Sequence, residues 1–167
     1  MPLPTTTPDP LITENAVAFA DLDTLLIGYQ YNNIIDTDVT TDVYNWMIHG
    51  MRTWFNEDDF RGAIFDFRNV NTFALGNTLT AKEASEEANQ VLDLSIFPVA
   101  LIVKNVQQEI KVRMTMMTGN TRRKCVVYGE DQALVFINEW NRQHNRKFDL
   151  PSENFLNGPA FDKLMEP

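Results

Sequence analysis

Short apolar runs alternate with segments of helical periodicity along most of the chain. Residues 16–20 and 25–29 are apolar runs joined by a polar tetrapeptide, and this pattern predicts a β-hairpin. Three further runs, at residues 62–67, 98–103 and 124–128, are typical of strands that are covered on both faces of a sheet. The chain is therefore predicted to contain five strands.

Four segments carry apolar residues at helical spacing. The first can be capped by Asp36, Asp38 or Thr40. Its predicted inner face consists of Val39, Val43, Met47, Gly50, Met51, Trp54 and Phe55. The second begins at Thr80, which forms a capping box with Glu83. These patterns predict one helix before the strand at 62–67 and one helix after it in the chain.

The two remaining helices follow the later strands. Apolar residues from Val106 to Met117 predict a helix that ends at Gly119 and Asn120. The last helix starts after Gly129 and runs to about Asn145. Its predicted inner face consists of Ala133, Leu134, Ile137 and Trp140.

The resulting order is β-β-α-β-α-β-α-β-α, which predicts an α/β fold. We expect a mostly parallel sheet of about five strands, with an antiparallel edge and about four helices. Residues 14–147 form the predicted domain. Residues 1–13, rich in Pro and Thr, are predicted to be a flexible arm, and residues 148–167 a tail whose apolar side chains dock on the domain or on a partner.

The length and hydropathy indicate the general class of protein. A chain of 167 residues with 44% hydrophobic residues fits one domain with a full core. It has no apolar run of about 18 residues, which a membrane span would need. The first ten residues also lack the basic and apolar regions of a signal peptide. We therefore expect a soluble, cytoplasmic protein without a membrane span.

Charge is distributed unevenly. The net charge of −9 argues against binding of nucleic acid. Residues 1–100 carry 4 basic and 15 acidic side chains, whereas residues 101–147 carry 9 and 4. The only basic triplet is Arg122-Arg123-Lys124, which we interpret as a solvated turn before a strand in preference to a site for a phosphate or an acidic partner.

The sequence favours no metal or cofactor. Cys125 is the only cysteine and His49 and His144 are the only histidines, so no Cys/His zinc cluster is predicted. We interpret Cys125 as a buried thiol and His144 as a helix-terminal residue. The scattered glycines form no phosphate-binding loop.

Two acidic features are candidate catalytic or cation sites. Asp66 lies in a predicted central strand, where pairing with Arg68 is a simpler explanation than a catalytic role. Residues 57–59 are three consecutive acids, a pattern typical of a solvated surface. We therefore expect that the protein is not an enzyme.

The segment 62–83 is the most informative, because a strand passes through a loop directly into a helix. Residues 68–79 form the predicted loop at the carboxyl end of the strand, where open α/β sheets usually bind ligands or partners. The candidate partner-binding residues in this loop are Phe73, Ala74, Leu75, Gly76, Asn77 and Thr78.

The element order, together with IFDFRNVNTF at 64–73 and VYGEDQAL at 127–134, resembles the STAS domain, the fold of anti-sigma factor antagonists. The resemblance covers roughly residues 15–145. It implies a bacterial regulatory protein in which a serine in an Asp-Ser-Ser-Gly motif is phosphorylated at a helix mouth. This chain has Ala74-Leu75-Gly76-Asn77 at those positions. The serine switch is therefore not expected, although Thr78 or Thr80 is an alternative acceptor. The chain looks more like stand-alone, uncharacterised SpoIIAA-like bacterial proteins, some of which are likened to Sec14-type lipid-binding domains.

Two functions follow from these patterns. The first is a noncatalytic regulatory module that contacts a partner protein through the candidate loop. The alternative is a binder or sensor of a small apolar ligand or lipid, held between the sheet and Trp46, Met51, Trp54 and Phe55 of the first helix. A homodimer is also plausible from the predicted edge strand and the apolar tail.

Overall fold

A six-stranded mixed sheet forms the centre of the protein in a computed structural model that describes residues 9–117 and 121–146. The strands follow one another across the sheet in chain order. They are β1 (Leu11–Ile12), β2 (Ala16–Asp21), β3 (Leu26–Ile35), β4 (Gly62–Phe73), β5 (Val99–Ile102) and β6 (Lys124–Val127).

The sheet has an antiparallel edge and a parallel body. β1, β2 and β3 pair antiparallel, whereas β3, β4, β5 and β6 pair parallel. Within the described residues, four α-helices accompany the strands. They are α1 (Thr37–Thr53), α2 (Asn77–Val91), α3 (Val106–Met116) and α4 (Glu130–Gln143). The predicted α/β class, the mostly parallel sheet and the helix number are confirmed.

The edge of the sheet differs from the prediction. The β2–β3 hairpin forms as expected, with Ala16 opposite Tyr31 and Asp21 opposite Leu26. However, Leu11 and Ile12 pair with β2, so β1 rather than β2 is the outer strand. Two residues are too few for a periodic pattern, and for that reason the sequence placed them in the arm.

The strand–loop–helix segment also differs from its prediction. β4 continues to Phe73, because residues 69–73 pair with the second half of β3 after two register shifts. The Gln108 amide donates to the carbonyl oxygens of Phe67 and Val70, at 2.8 and 2.9 Å. These bonds satisfy backbone acceptors along the irregular stretch. The loop at residues 68–79 is thus reduced to a short turn.

α2 begins at Asn77, three residues before the predicted Thr80. Gly76 adopts a φ of 85°, a left-handed conformation that lets the chain turn sharply from β4 into the helix. The capping-box interpretation of Thr80 is wrong, because Thr80 lies inside the first turn. Asp36, by contrast, is the cap of α1, and its Oδ1 accepts from the Val39 amide at 2.9 Å.

The helices cover the two faces of the sheet unequally. One face of the sheet packs against α1 and α3, and α2 contacts both of these helices. The strand residues on this face include Tyr29, Phe65 and Leu101. The other face packs against α4 through Ala133 and Ile137. We call these the cavity face and the α4 face.

Several predicted features lie outside the described residues. They are most of the predicted arm, the tail at 148–167 and the helix end at Gly119 and Asn120. Within residues 9–117 and 121–146, no helix is long and apolar enough to cross a membrane.

Candidate functional site

An apolar cavity of about 60 Å³ lies between α1, α2 and the cavity face of the sheet. Its walls come from β3, β4 and β5, from α1 and α2, and from the end of α3. It is partly open to solvent. We refer to it as the cavity.

Aromatic rings form one wall of the cavity. Tyr29 stacks on Phe65 with ring centroids 4.3 Å apart, and it also meets Trp46 in a T-shaped arrangement with ring centroids 5.9 Å apart. Trp46 in turn meets Trp54 at 5.9 Å. Burial raises the pKa of Tyr29, so its hydroxyl is neutral at physiological pH.

The position of Trp54 depends on Gly50. A Cβ atom at Gly50 would lie 2.9 Å from the Trp54 ring, so the absence of a side chain lets the indole lie against the helix. Trp54 ends α1, and its amide and that of Phe55 both donate to the Gly50 carbonyl. Helix termination thus places two large rings at one end of the cavity.

Three methionines complete the apolar lining. Met47 and Met51 come from α1, and Met116 comes from the last turn of α3. All three are partly buried. Thioether side chains adapt to irregular shapes, so this part of the wall can adjust to an occupant.

The cavity also has a polar side. Tyr44, Ser85, Arg123 and Lys124 line it. Burial raises the pKa of the Tyr44 hydroxyl, while the Ser85 hydroxyl and the charge of Arg123 act in the opposite direction. Burial and the neighbouring Arg123 charge lower the pKa of Lys124 to about 8. The cavity therefore combines an apolar wall with two cationic side chains.

The four candidate residues for an apolar ligand come together at this site. Trp46, Met51, Trp54 and Phe55 all line the cavity. Trp46 and Met51 lie on α1, whereas Trp54 and Phe55 follow its last residue, so the predicted helical spacing of these two is wrong and the end of the helix brings them to the cavity.

The candidate partner-binding residues do not share one surface. Leu75, Gly76 and Thr78 are exposed, and Leu75 is fully so. Asn77 is buried, and its Oδ1 accepts from the Thr40 hydroxyl at 2.6 Å. Asn77 therefore holds α2 to α1 and is not available to a partner.

The two remaining loop residues, Phe73 and Ala74, are half-buried. The ring of Phe73 approaches Phe67, with centroids 6.4 Å apart, and it lies beneath the Lys111 ammonium at 5.6 Å. The amide of Ala74 donates to the carbonyl of Ile35 at 2.9 Å. Leu75 is consequently the exposed apolar tip of a turn that is otherwise anchored.

Asp66 is engaged in an ion-pair cluster at the carboxyl end of β4. Its carboxylate is buried and accepts from Nε and Nη2 of Arg68, at 3.0 and 2.9 Å. Nη2 of Arg68 also reaches Glu130, at the start of α4, at 2.6 Å. These interactions raise the pKa of the Arg68 guanidinium. Asp66 does not line the cavity, and its geometry is that of a structural pair.

The other polar candidates also have structural surroundings. Arg146 bonds to the carbonyl oxygens of Glu57 and Phe60 and lies 3.7 Å from Asp58, so part of the acidic run at 57–59 holds the end of α4. Burial raises the pKa of the partly buried Cys125 thiol. In the described part of the chain, no group of three or more His, Cys, Asp or Glu side chains is arranged to hold a metal.

The two histidines are both exposed. The ring of His144 stacks on Trp140 at 4.3 Å, just after the end of α4. Neither His49 nor His144 lines the cavity.

The comparison with protein-family models finds no match for this chain, and neither does the comparison with curated protein sequences.

Sequence reasoning missed Arg123. The interpretation of the basic triplet as a solvated turn holds for Arg122, which is exposed, but is wrong for Arg123, which is only 6% exposed. A short 3-10 helix at Thr121–Arg123 turns its side chain inward just before β6. The uneven charge along the chain was the one pattern that pointed to this region.

Proposed function

We propose that this chain is a noncatalytic module that binds a small apolar ligand in the cavity. The observation that carries the proposal is an unfilled apolar space walled by aromatic and methionine side chains. Protein interiors are normally packed to the density of organic crystals, so such a space next to a polar rim is typical of a binding site.

The size of the cavity limits the ligand. Its volume of about 60 Å³ exceeds what one water molecule needs. It is smaller than the ~150 Å³ of an engineered cavity that binds benzene. The space therefore suits a thin alkyl segment, and a bulkier occupant requires Met47, Met51 or Met116 to move.

Tryptophan fluorescence provides a direct test. Trp46 and Trp54 line the cavity, whereas Trp140 lies on α4 and donates to the carbonyl of Ile96 at 2.9 Å. In a Trp140→Phe background, all remaining tryptophan emission comes from the cavity. We expect 1-octanol, a neutral apolar probe, to change this emission saturably.

A matched pair of variants locates the binding site. Ser85 lines the cavity on α2, whereas the adjacent Glu86 is exposed and does not line it. Ser85→Phe should weaken 1-octanol binding at least tenfold because the ring enters the cavity, and Glu86→Phe should leave binding unchanged. Equal binding by both variants, or no saturable response in either, would refute the proposal.

The exposed loop tip supports a second candidate function, a regulatory module that contacts a partner protein. Leu75 is fully exposed, and Leu79, in the first turn of α2, is 62% exposed. The resemblance to the STAS domain supports a contact at this helix mouth, and we retain that fold family as a proposal.

This second function makes a different prediction. Leu75→Asp should abolish capture of a specific partner from the native extract. Val135→Asp should not, although Val135 is a comparably exposed apolar residue, 68% exposed, on α4. Quantitative pull-down with mass spectrometry measures both, and identical capture by the two variants would exclude the loop tip as the interface.

A further inference from the structure

Arg123 is a buried cation at the polar side of the cavity. Its Nη1 donates to the carbonyl of Phe97 at 3.1 Å. Among residues 9–117 and 121–146, no carboxylate lies within ion-pair distance of its guanidinium. Arg123 thus differs from Arg68, which holds two carboxylates.

Burial of a charge without a counter-ion is unfavourable, and an anion in the cavity would relieve it. Lys124, adjacent in the chain, adds positive potential on the same side, and its Nζ donates to the Met116 carbonyl at 2.8 Å. Tyr44 adds a neutral hydroxyl to this side. Donors and positive charge therefore converge where the apolar wall ends.

We propose that the ligand is an amphiphile whose carboxylate binds Arg123 while its alkyl chain lies between Trp46, Trp54 and the sheet. This inference rests on the proposed apolar-ligand function. A carboxylate is favoured over a phosphate because it is smaller and carries a single negative charge, which costs less to desolvate beside one buried guanidinium.

The test compares probes with the same alkyl length. Octanoate, 1-octanol and octyl phosphate are titrated into the Trp140→Phe protein, and the emission of the cavity tryptophans is followed at neutral pH. Octanoate should bind at least tenfold more tightly than 1-octanol, since a charge-assisted hydrogen bond gives about a tenfold gain or more. Octanoate should also bind more tightly than octyl phosphate.

The outcomes separate the inference from the function on which it rests. Equal affinity for octanoate and 1-octanol would overturn the anionic head group and leave the apolar-ligand function intact. No saturable binding of any probe would overturn both. Tighter binding of octyl phosphate would overturn the assignment of a carboxylate.

Variants assign the effect to one side chain. Arg123→Met should remove the preference for octanoate over 1-octanol, while Arg122→Met, at the neighbouring exposed arginine, should retain it. Retention of the preference in Arg123→Met would overturn the role of Arg123. If this variant does not fold, the comparison of probes on the Trp140→Phe protein alone decides whether the head group is anionic.

Discussion

The two faces of the sheet are built from the same strands but differ in their side chains and in how these side chains pack. Neighbouring strand residues alternate between the faces, so β3 and β4 contribute Tyr29 and Phe65 to one and Leu26 and Ile64 to the other. None of the residues of the α4-face cluster lines the cavity. The buried residues of the α4-face cluster are aliphatic apart from Phe19, whereas large rings and flexible thioethers enclose an unfilled space on the cavity face.

One buried charged cluster beside α4 and one buried charge beside the cavity also differ in their partners. Asp66, Arg68 and Glu130 form a paired cluster at the α4 end of the sheet. Arg123, beside the cavity, has a backbone carbonyl and a tyrosine for neighbours. Under the proposed function, the α4 face serves stability, and the cavity face gives up some stability for ligand binding.

Breaking the paired cluster should have the largest effect on stability. Arg68→Met leaves the Asp66 carboxylate buried without its guanidinium partner. We expect a loss of about 3 kcal/mol in the free energy of unfolding, at the low end for a broken buried pair because Arg68 is partly exposed. Urea denaturation measures this loss.

An exposed ion pair provides the control. Arg113 pairs with Glu109 at 2.9 Å on the surface of α3, so Arg113→Met should change stability by no more than about 1 kcal/mol. Similar losses in the two variants would mean that the Asp66–Arg68 pair has no special structural role.

Enlarging an alanine on each face should give the next largest effect. Ala100 is fully buried on the α4 face, whereas Ala63 lines the cavity from β4. Ala100→Val should destabilise the protein by about 1 to 3 kcal/mol through overpacking. Ala63→Val should be nearly neutral because the added methyl groups enter the cavity.

Thermal and urea unfolding of both valine variants measure this difference. Equal destabilisation would show that the cavity wall is as tightly packed as the α4 face. A loss of 1-octanol binding in Ala63→Val alone would sharpen the contrast between the faces.

Periodicity was sufficient to predict most of the fold. Short apolar runs identified five of the six strands, and the cap candidates Asp36, Asp38 and Thr40 bracketed the start of α1, which Asp36 caps. These features can be predicted locally, because an apolar run and a helix cap are both recognised from residues that are close together in the sequence. The same periodicity placed Trp54 on the inner face of the first helix, and Trp46 became a candidate as a further large apolar side chain beside that face.

The remaining features depend on contacts between distant segments. Polar residues 68–72 form a strand because β3 extends alongside them and Gln108 supports their backbone. Arg123 is buried because a 3-10 turn directs it toward Phe97, 26 residues earlier in the chain. Local composition in a basic triplet carries no information about such a contact.

The smallest expected effect is the pH dependence of the unfolding free energy, which tests the side chain of Lys124 on the cavity face. The folded protein lowers the pKa of Lys124 from its ordinary 10.5 to about 8, chiefly by burial and also by the charge of Arg123. Between these values the unfolded chain binds more protons, so this side chain destabilises the fold below about pH 8 and the penalty disappears as the pH rises toward 10.5.

The effect of Lys124 can be isolated with Lys124→Met, which retains the other titrating groups. Relative to this variant, the unmodified protein should gain about 1 kcal/mol in unfolding free energy between pH 7 and pH 10, because one pKa unit corresponds to about 1.4 kcal/mol and Lys124 is partly solvated. Urea denaturation of both proteins across this range measures the difference. Parallel curves would mean that the pKa of Lys124 is that of a hydrated surface lysine, and its ammonium would then not be desolvated at the cavity wall.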